Sequence, residues 1–449
     1  MSTPEPDLAQ TLASRRFVVL LGLAAVVGVV AALAAWGFLE LTHQVQVGVY
    51  EKLPDALGYD EPPVWWPLPV AGLAGLIVAY AIVRLPGGGG HLPANGLSTG
   101  ATMPADLPGV VLAGLATIGL GLVLGPEGPL IAVGGALGLL GVRLLRRDAP
   151  PELATLVGAC GTFSALALIF ESPIIAAVIL IEATGLGGAK LRMLLVPGLL
   201  AAGIGSLVSI GMGAFTGLSD SAYALGTLPL PQFDQPDVLD FVWTVPLAVA
   251  ISLGTLAIFA LARRTVPVVT PRPFLALPAA GLVVAGLAIA FEQATDKHES
   301  EVLFSGQEQL PGLLSGAATW SLGALALLIA CKGLAWAISL ASFRGGPTFP
   351  AMFLGAAAGV MASHLPGFEL TPAVAVGIGA AVAAVLRLPL SAVVLALLLT
   401  ATSGAGSAPL VIVGVVAAYL TTLAVSARTP RDPSDEVTAP SEQAGTVAS

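Results

Sequence analysis

Leu124-Gly-Pro-Glu-Gly-Pro129, followed by glycines at 134 and 138, has a second copy in this chain: Gly346-Pro-Thr-Phe-Pro350, followed by glycines at 355 and 359. A constant offset of 221 pairs Gly125, Pro126, Pro129, Gly134, Ala136 and Gly138 with Gly346, Pro347, Pro350, Gly355, Ala357 and Gly359. Each copy leads into a second similar block. Gly161–Thr184 aligns at offset 216 with Gly377–Thr400, matching Gly161/Gly377, Ala165/Ala381, Pro173/Pro389, Ala176/Ala392 and Thr184/Thr400. The loop after the first Gly-Pro block carries Arg143, Arg146 and Arg147, whereas the loop after the second carries His364 and Glu369 and no basic residue. Basic loops stay on the cytoplasmic side, so the two copies are predicted to be upside down relative to each other. Inverted repeats with broken helices near the midplane are the architecture of ion and substrate translocators.

The rest of the chain agrees with a membrane setting. Of 449 residues 56% are apolar and only 10% are charged, against roughly a quarter charged in soluble domains. Phe17–Leu39, Trp65–Val83, Phe241–Ala262, Pro273–Phe291 and Leu310–Cys331 each run 19 to 23 residues without a charge. As helices such runs cross ~30 Å of hydrocarbon, and they are continuous rather than alternating, which excludes an outer-membrane barrel. The fold class is therefore an all-α polytopic membrane protein. The 54 glycines and 35 prolines suit closely packed, often interrupted helices. Breaks are expected at Leu85–Pro93, Gly125–Pro129, Glu171–Pro173, Gly345–Pro350 and Ser403–Pro409, with ten to twelve crossings and several half-helices.

Arg15 and Arg16 precede the first span, and Lys190 with Arg192 and Arg263, Arg264 with Arg272 form further basic clusters, all assigned to the cytoplasm. The acidic loops Ser219–Asp240 and Glu292–Glu308 fall on the other side. The expected organisation is a cytoplasmic segment 1–16, a first membrane repeat 17–218, an extracellular linker 219–240, an inverted repeat 241–427 and a disordered cytoplasmic tail 428–449. Both termini are then cytoplasmic, in a plasma membrane. Cys160 and Cys331 sit in apolar stretches and read as buried thiols. No metal or cofactor is called for, and a net charge of −9 argues against nucleic acid.

The Gly-Pro blocks have a chemistry of their own. In Gly125-Pro-Glu-Gly-Pro129 the glycines leave main-chain N–H groups uncovered and Pro129 suits a first helical turn. A helix N-terminus inside the membrane offers free donors and a partial positive charge, which favours an anion. Gly346, Pro347, Thr348 and Phe349 offer the same arrangement, with a hydroxyl at Thr348, and the run Gly87-Gly-Gly-Gly-His-Leu-Pro93 precedes another short segment. Between Arg84 and Arg143 the only ionisable side chains are His91, Asp106 and Glu127. A carboxylate at that depth is functional by default. Glu127 is either an anion competing for the anion site, hence a gate or proton carrier, or a carboxylate that only caps its helix.

These residues resemble a family. Leu122-Val-Leu-Gly-Pro-Glu-Gly-Pro-Leu130 is similar to the Gly-Arg-Glu-Gly-Pro signature of CLC chloride channels and chloride/proton antiporters, with Pro126 in place of arginine. Gly346-Pro-Thr-Phe-Pro350 resembles the Gly-x-Phe-x-Pro motif, with Thr348 in place of phenylalanine. Phe170–Glu182 and Arg387–Val394 resemble the helices that follow in each half, so the likeness covers residues 17–427. It implies a homodimer with one anion pathway per subunit, about eighteen tilted or broken helices, and Glu127 as the gating glutamate. The family's Gly-Ser-Gly-Ile-Pro motif aligns with Gly89-Gly-His-Leu-Pro93, which puts Gly90 in place of the anion-coordinating serine. His91 either replaces that donor or packs on a neighbour. The inner proton-transfer glutamate falls on Ala183, one position after Glu182, and Tyr419 lies well before the expected tyrosine. Glu182 is the candidate for an inner proton path; packing near the cytoplasmic end is the other reading of Glu182 and of Glu171.

The implied anion-binding set is Gly89, Gly90, His91, Gly125, Pro126, Gly128, Gly346, Pro347, Thr348 and Phe349, with Glu127 as gate. Loss of the inner carboxylate tilts the reading toward a chloride channel or weakly coupled conductor in the bilayer, with a chloride/proton antiporter as the alternative. An intramembrane enzyme needs a nucleophile–base pair or metal cluster, and His43, His91, His298 and His364 are scattered without one. A cation-coupled transporter needs acidic ligands in the breaks, where Glu127 is the only strong candidate.

Overall fold

The computed structural model describes residues 14–96, 102–146, 148–185, 188–216 and 225–428. The expectations for residues 1–13, Arg147, 219–224 and the tail 429–449 lie outside these. The described residues form α1 (Arg15–Val47), α2 (Pro67–Arg84), α3 (Leu107–Gly119), α4 (Glu127–Leu145), α5 (Pro151–Ile169), α6 (Pro173–Thr184) and α7 (Gly188–Thr216). A second series follows: α8 (Val238–Val269), α9 (Pro273–Thr295), α10 (Leu322–Ser342), α11 (Thr348–Ala362), α12 (Leu370–Leu386), α13 (Pro389–Leu399) and α14 (Ala408–Ser426). Among the described residues nine helical stretches are long and apolar enough to cross a membrane, and five apolar helices are shorter, at 10–17 residues. The shorter helices correspond to the half-helices expected from the Gly/Pro breaks.

Helix ends follow local chemistry. Ser14, Ser172 and Ser321 accept first-turn amides of α1, α6 and α10, satisfying donors that no helical partner can reach. Pro151, Pro173, Pro273 and Pro389 occupy first helical positions, where a missing N–H costs nothing. The break predicted at Ser403–Pro409 separates α13 from α14. The run Leu310–Cys331 is not one span: it holds a short helix, Leu310–Ser315, a tight turn at Ala317–Thr319, and only then the start of α10. Ser321 starts a new helix there. The residue that ended the charge-free run, Lys332, lies in the middle of α10 and is fully buried.

Packing is inverted relative to a soluble protein. Large aliphatics such as Leu207, Val268 and Leu275 are about 70% exposed, while Ala31, Ala74, Ala248 and Ala285 are completely buried. Lipid is as apolar as leucine, so helices associate through small residues that let backbones approach. The repeat shows in these contacts. A Cβ added to Gly134 would come within 2.5 Å of Gly161 O, and its counterpart Gly355 abuts Gly377 in the same way. One turn further on, Gly138 meets Val157 and Gly158 while Gly359 meets Ala373 and Val374. Across the two halves, Gly75 packs on the backbone of Leu277, and Gly281 on that of Ala71.

The backbone repeats where it is strained. Glu171 (φ 47°) and Arg387 (φ 57°), equivalent at offset 216, both adopt left-handed conformations just before α6 and α13. Non-glycine residues there carry a cost that the surrounding fold must impose.

Candidate functional site

The two Gly-Pro blocks meet. Gly125 and Gly346 form an isolated antiparallel bridge, Gly125 N donating to Gly346 O at 2.8 Å and Gly346 N to Gly125 O at 2.6 Å. Equivalent residues that exchange hydrogen bonds in this way require a local two-fold axis between them. A second reciprocal pair supports it: Val123 N donates to Ser339 Oγ and Arg344 N to Thr117 Oγ1, each at 3.3 Å. Val123 and Arg344 are also 221 residues apart. The hydroxyls come from the ends of α3 and α10, so the helix preceding each loop holds the opposite loop.

From this junction α4 begins at Glu127 and α11 at Thr348, with Pro126 and Pro347 at the caps. Both helix N-termini therefore converge on one spot. The Glu127 side chain fills it. It is 1% exposed, its Oε1 accepts the main-chain N–H of Thr348, and the Glu127 and Phe349 amides and the Thr348 hydroxyl also stand around the carboxylate. Oε2 is buried without a hydrogen-bond partner among the described residues. The glycines make room for this carboxylate, since a Cβ on Gly125 or Gly346 would collide with it and one on Gly128 would reach 2.7 Å from Gly345 O. Phe349 is buried below, its ring stacked on Phe170 at 5.6 Å.

Two cavities reach the chain neighbours of Glu127, which itself lines neither. Its neighbour Pro126 lines a first cavity of about 40 Å³ with Thr42, His43, Phe304, Ser305 and Glu308. On the other side, Gly128 and Pro129 line a second of about 60 Å³, with Gly89, Gly90, His91, Thr102, Arg344 and Pro347. The structure thus brings Gly89, Gly90 and His91 to the same cavity wall as Gly128 and Pro347. His91 Nε2 faces Gly96 O at 3.0 Å.

Glu182 is elsewhere. From the last turn of α6 it accepts Leu390 N at 2.9 Å, Ser391 N at 2.8 Å and Ser391 Oγ at 2.7 Å, and it lines neither cavity. Its carboxylate sits on the N-terminus of α13, where a negative charge complements the helix dipole.

Two residues escape the sequence reading. Arg344 lines the second cavity; the signal was a lone arginine beside Gly345-Gly-Pro, the only charge between Lys332 and His364. Lys332 donates from Nζ to the carbonyls of Glu301 (2.9 Å), Val302 (3.3 Å), Leu303 (2.9 Å) and Phe304 (3.4 Å) and stands 4.4 Å from the Phe353 ring centroid. It anchors the segment that forms part of the first cavity, and a charge inside an apolar helix was its signal.

Known proteins resemble this chain in sequence or in architecture. The "Putative ion-transport protein YfeO" of Escherichia fergusonii is 30% identical over 359 residues, covering 78% of this chain and 81% of the relative, and the same protein of Escherichia coli strain 55989 matches equally. The crystal structure of a slow cyanobacterial Cl⁻/H⁺ antiporter superposes with a TM-score of 0.74 at 18% identity, covering 91% of this chain and 95% of that one. A CLC-type fluoride/proton antiporter gives 0.69 at 17% identity, covering 90% and 95%. The family described as "Voltage gated chloride channel" matches residues 94–422. With the junction of inverted repeats at its centre, the chain belongs to the voltage-gated chloride channel (CLC) family.

Proposed function

We propose that the protein conducts chloride or a similar small anion across the plasma membrane, as a channel or weakly coupled conductor gated by Glu127. The observation that carries this is the seat of the Glu127 carboxylate where two half-helix N-termini converge between two cavities. Main-chain donors at helix N-termini bind a carboxylate or a chloride by the same physics. When the carboxylate is protonated and swings away, the anion takes its place and the cavities connect. Among the described residues no acid lines the second cavity and Glu182 is engaged at α13, which favours weak proton coupling. Orientation follows from charge: Arg143 reaches Met103 beside Thr102 on the second cavity, so that cavity opens to the cytoplasm, while the first adjoins the acidic 292–308 segment and opens outward. We place both termini in the cytoplasm and two copies in a dimer, each with its own pathway.

A chloride/proton antiporter is the second reading, favoured by Glu127 itself, a carboxylate buried between two cavities as a proton carrier must be. Proteoliposome flux with simultaneous pH recording separates them. Chloride efflux that drives no uphill proton movement is expected; proton flux at a fixed ratio to chloride overturns the channel reading, and absence of anion flux overturns both.

A further inference from the structure

The segment before α10 is tied to the loop that carries Glu127. Lys332 Nζ donates to four successive carbonyls, Glu301 to Phe304, and so gathers that turn around one buried ammonium. The turn passes its position on. Phe304 N donates to Gly121 O at 3.0 Å, and the Phe304 ring meets Tyr50 edge-on with centroids 5.1 Å apart. Tyr50 Oη in turn donates to Leu120 O at 3.2 Å, and Gln46 Nε2 to Ile118 O at 3.1 Å. Carbonyls at and just past the end of α3, where a helix runs out of its own donors, are thus held by residues 46–50 and by the 301–304 turn. The loop that follows starts from a fixed point six residues before Glu127.

There is no slack at that point. Gly121 has φ 89°, and a Cβ on it would come within 2.5 Å of Tyr50 Oη. The other repeat lacks the lysine: the position equivalent to Lys332 at offset 221 is Val111 of α3. The clamp therefore acts on the loop whose helix starts with the carboxylate. The charged side chain facing Lys332 is Glu301, with Lys297 and His298 beyond it, while His43 and Glu308 stand on the wall of the first cavity. We propose that Lys332 is a positioning residue for the Glu127 gate: its hydrogen bonds fix Phe304 on Gly121, and Gly121 fixes the loop that seats the carboxylate. The proposal rests on the gating reading above for its effect on flux, but not for the clamp itself. Its sign follows from the seat. The seated form is the ionised carboxylate, so whatever loosens the loop weakens the closed state and lets the gate open at less acid pH.

The test uses the full-length protein, with chloride flux from proteoliposomes followed across pH and hydrogen exchange measured on the same variants. K332M shifts the half-activation pH upward by at least about half a unit, and K332Q, which keeps amide donors but no charge, by less than half of that. G121A, with the lysine intact, shifts it upward as well. In a Glu127→Gln background K332M moves nothing, because no carboxylate is left to seat. Hydrogen exchange in K332M rises at residues 121–125 together with 301–304. No shift in K332M overturns the proposal, and so does a shift that persists without the carboxylate. Equal shifts in K332M and K332Q also overturn it, since Lys332 would then act only as a distant charge. Should G121A fail to give folded protein by thermal unfolding, K332M against K332Q decides alone. Unchanged exchange at 121–125 in K332M overturns the clamp whatever the flux shows. A rise there in a protein whose parent moves no anion leaves the clamp standing and sinks the gating reading instead.

Discussion

The two halves of the central junction share a backbone and differ in charge. Glu127 and Thr348 start equivalent helices, and Val123 and Arg344 hold equivalent places in the loops before them. The same comparison recurs outward: Glu182 caps α13, while its counterpart at offset 216 is Leu398, and α10 carries Lys332 where α3 has no charge. The repeated backbone supplies converging helix N-termini suited to an anion on both sides. Single substitutions in one copy supply what symmetry cannot, a buried carboxylate at Glu127 in the first repeat and a cation at Arg344 in the second. Function here lies in broken symmetry laid on a symmetric frame.

The comparison is most directly broken at Glu127. If the carboxylate is the plug, Glu127→Gln leaves anion flux at least partly intact while flattening its pH dependence from up to about tenfold per unit to less than about twofold. Flux measured across pH in proteoliposomes checks this, and a variant as pH-dependent as its parent would return suspicion to His91.

Gly346→Ala places a Cβ against the Glu127 carboxylate and is expected to lower stability by about 1–3 kcal/mol. Glu127→Ala in the same chain should recover much of that. A double-mutant cycle by denaturant unfolding reads the coupling, which contacting residues show at roughly 0.5–3 kcal/mol. Additive effects would mean the junction tolerates a side chain there.

Lys332→Met removes a buried cation and leaves four carbonyls short of their donor, a loss of about 1–3 kcal/mol. The sharper readout is local: hydrogen exchange at 301–304 should rise while exchange in α3 stays as it was. Equal changes in both repeats would contradict a one-sided anchor.

The smallest effect belongs to Glu182→Gln, about 0.5–1 kcal/mol from a weakened cap on α13. Proton coupling, measured by the same pH recording as chloride efflux, should not change. Loss of proton flux in this variant would place Glu182 on a proton path after all.

Much of this was legible in the chain because the repeat is written in residues that act locally. Glycine and proline punctuate helices by their own backbone constraints, so the breaks at Gly125–Pro129, Glu171–Pro173, Gly345–Pro350 and Ser403–Pro409 all separate helices. Glu127 stood out because a lone carboxylate among apolar residues needs a reason. Hydropathy misjudged Leu310–Cys331, since a charge-free run carries no mark of where a serine cap restarts the helix or whether the lysine that ends it is solvated.

What the sequence by itself determined is therefore the all-α membrane class, the inverted repeat and the identity of the deep acid, all consequences of composition and of short-range backbone chemistry. The tertiary structure decided which groups meet. The bridge between Gly125 and Gly346, the Thr348 amide on Glu127, the Arg344 guanidinium in the second cavity and the four carbonyls around Lys332 join residues 28 to 256 positions apart. Contacts of that range depend on how the helices pack, and no local pattern in the chain records it.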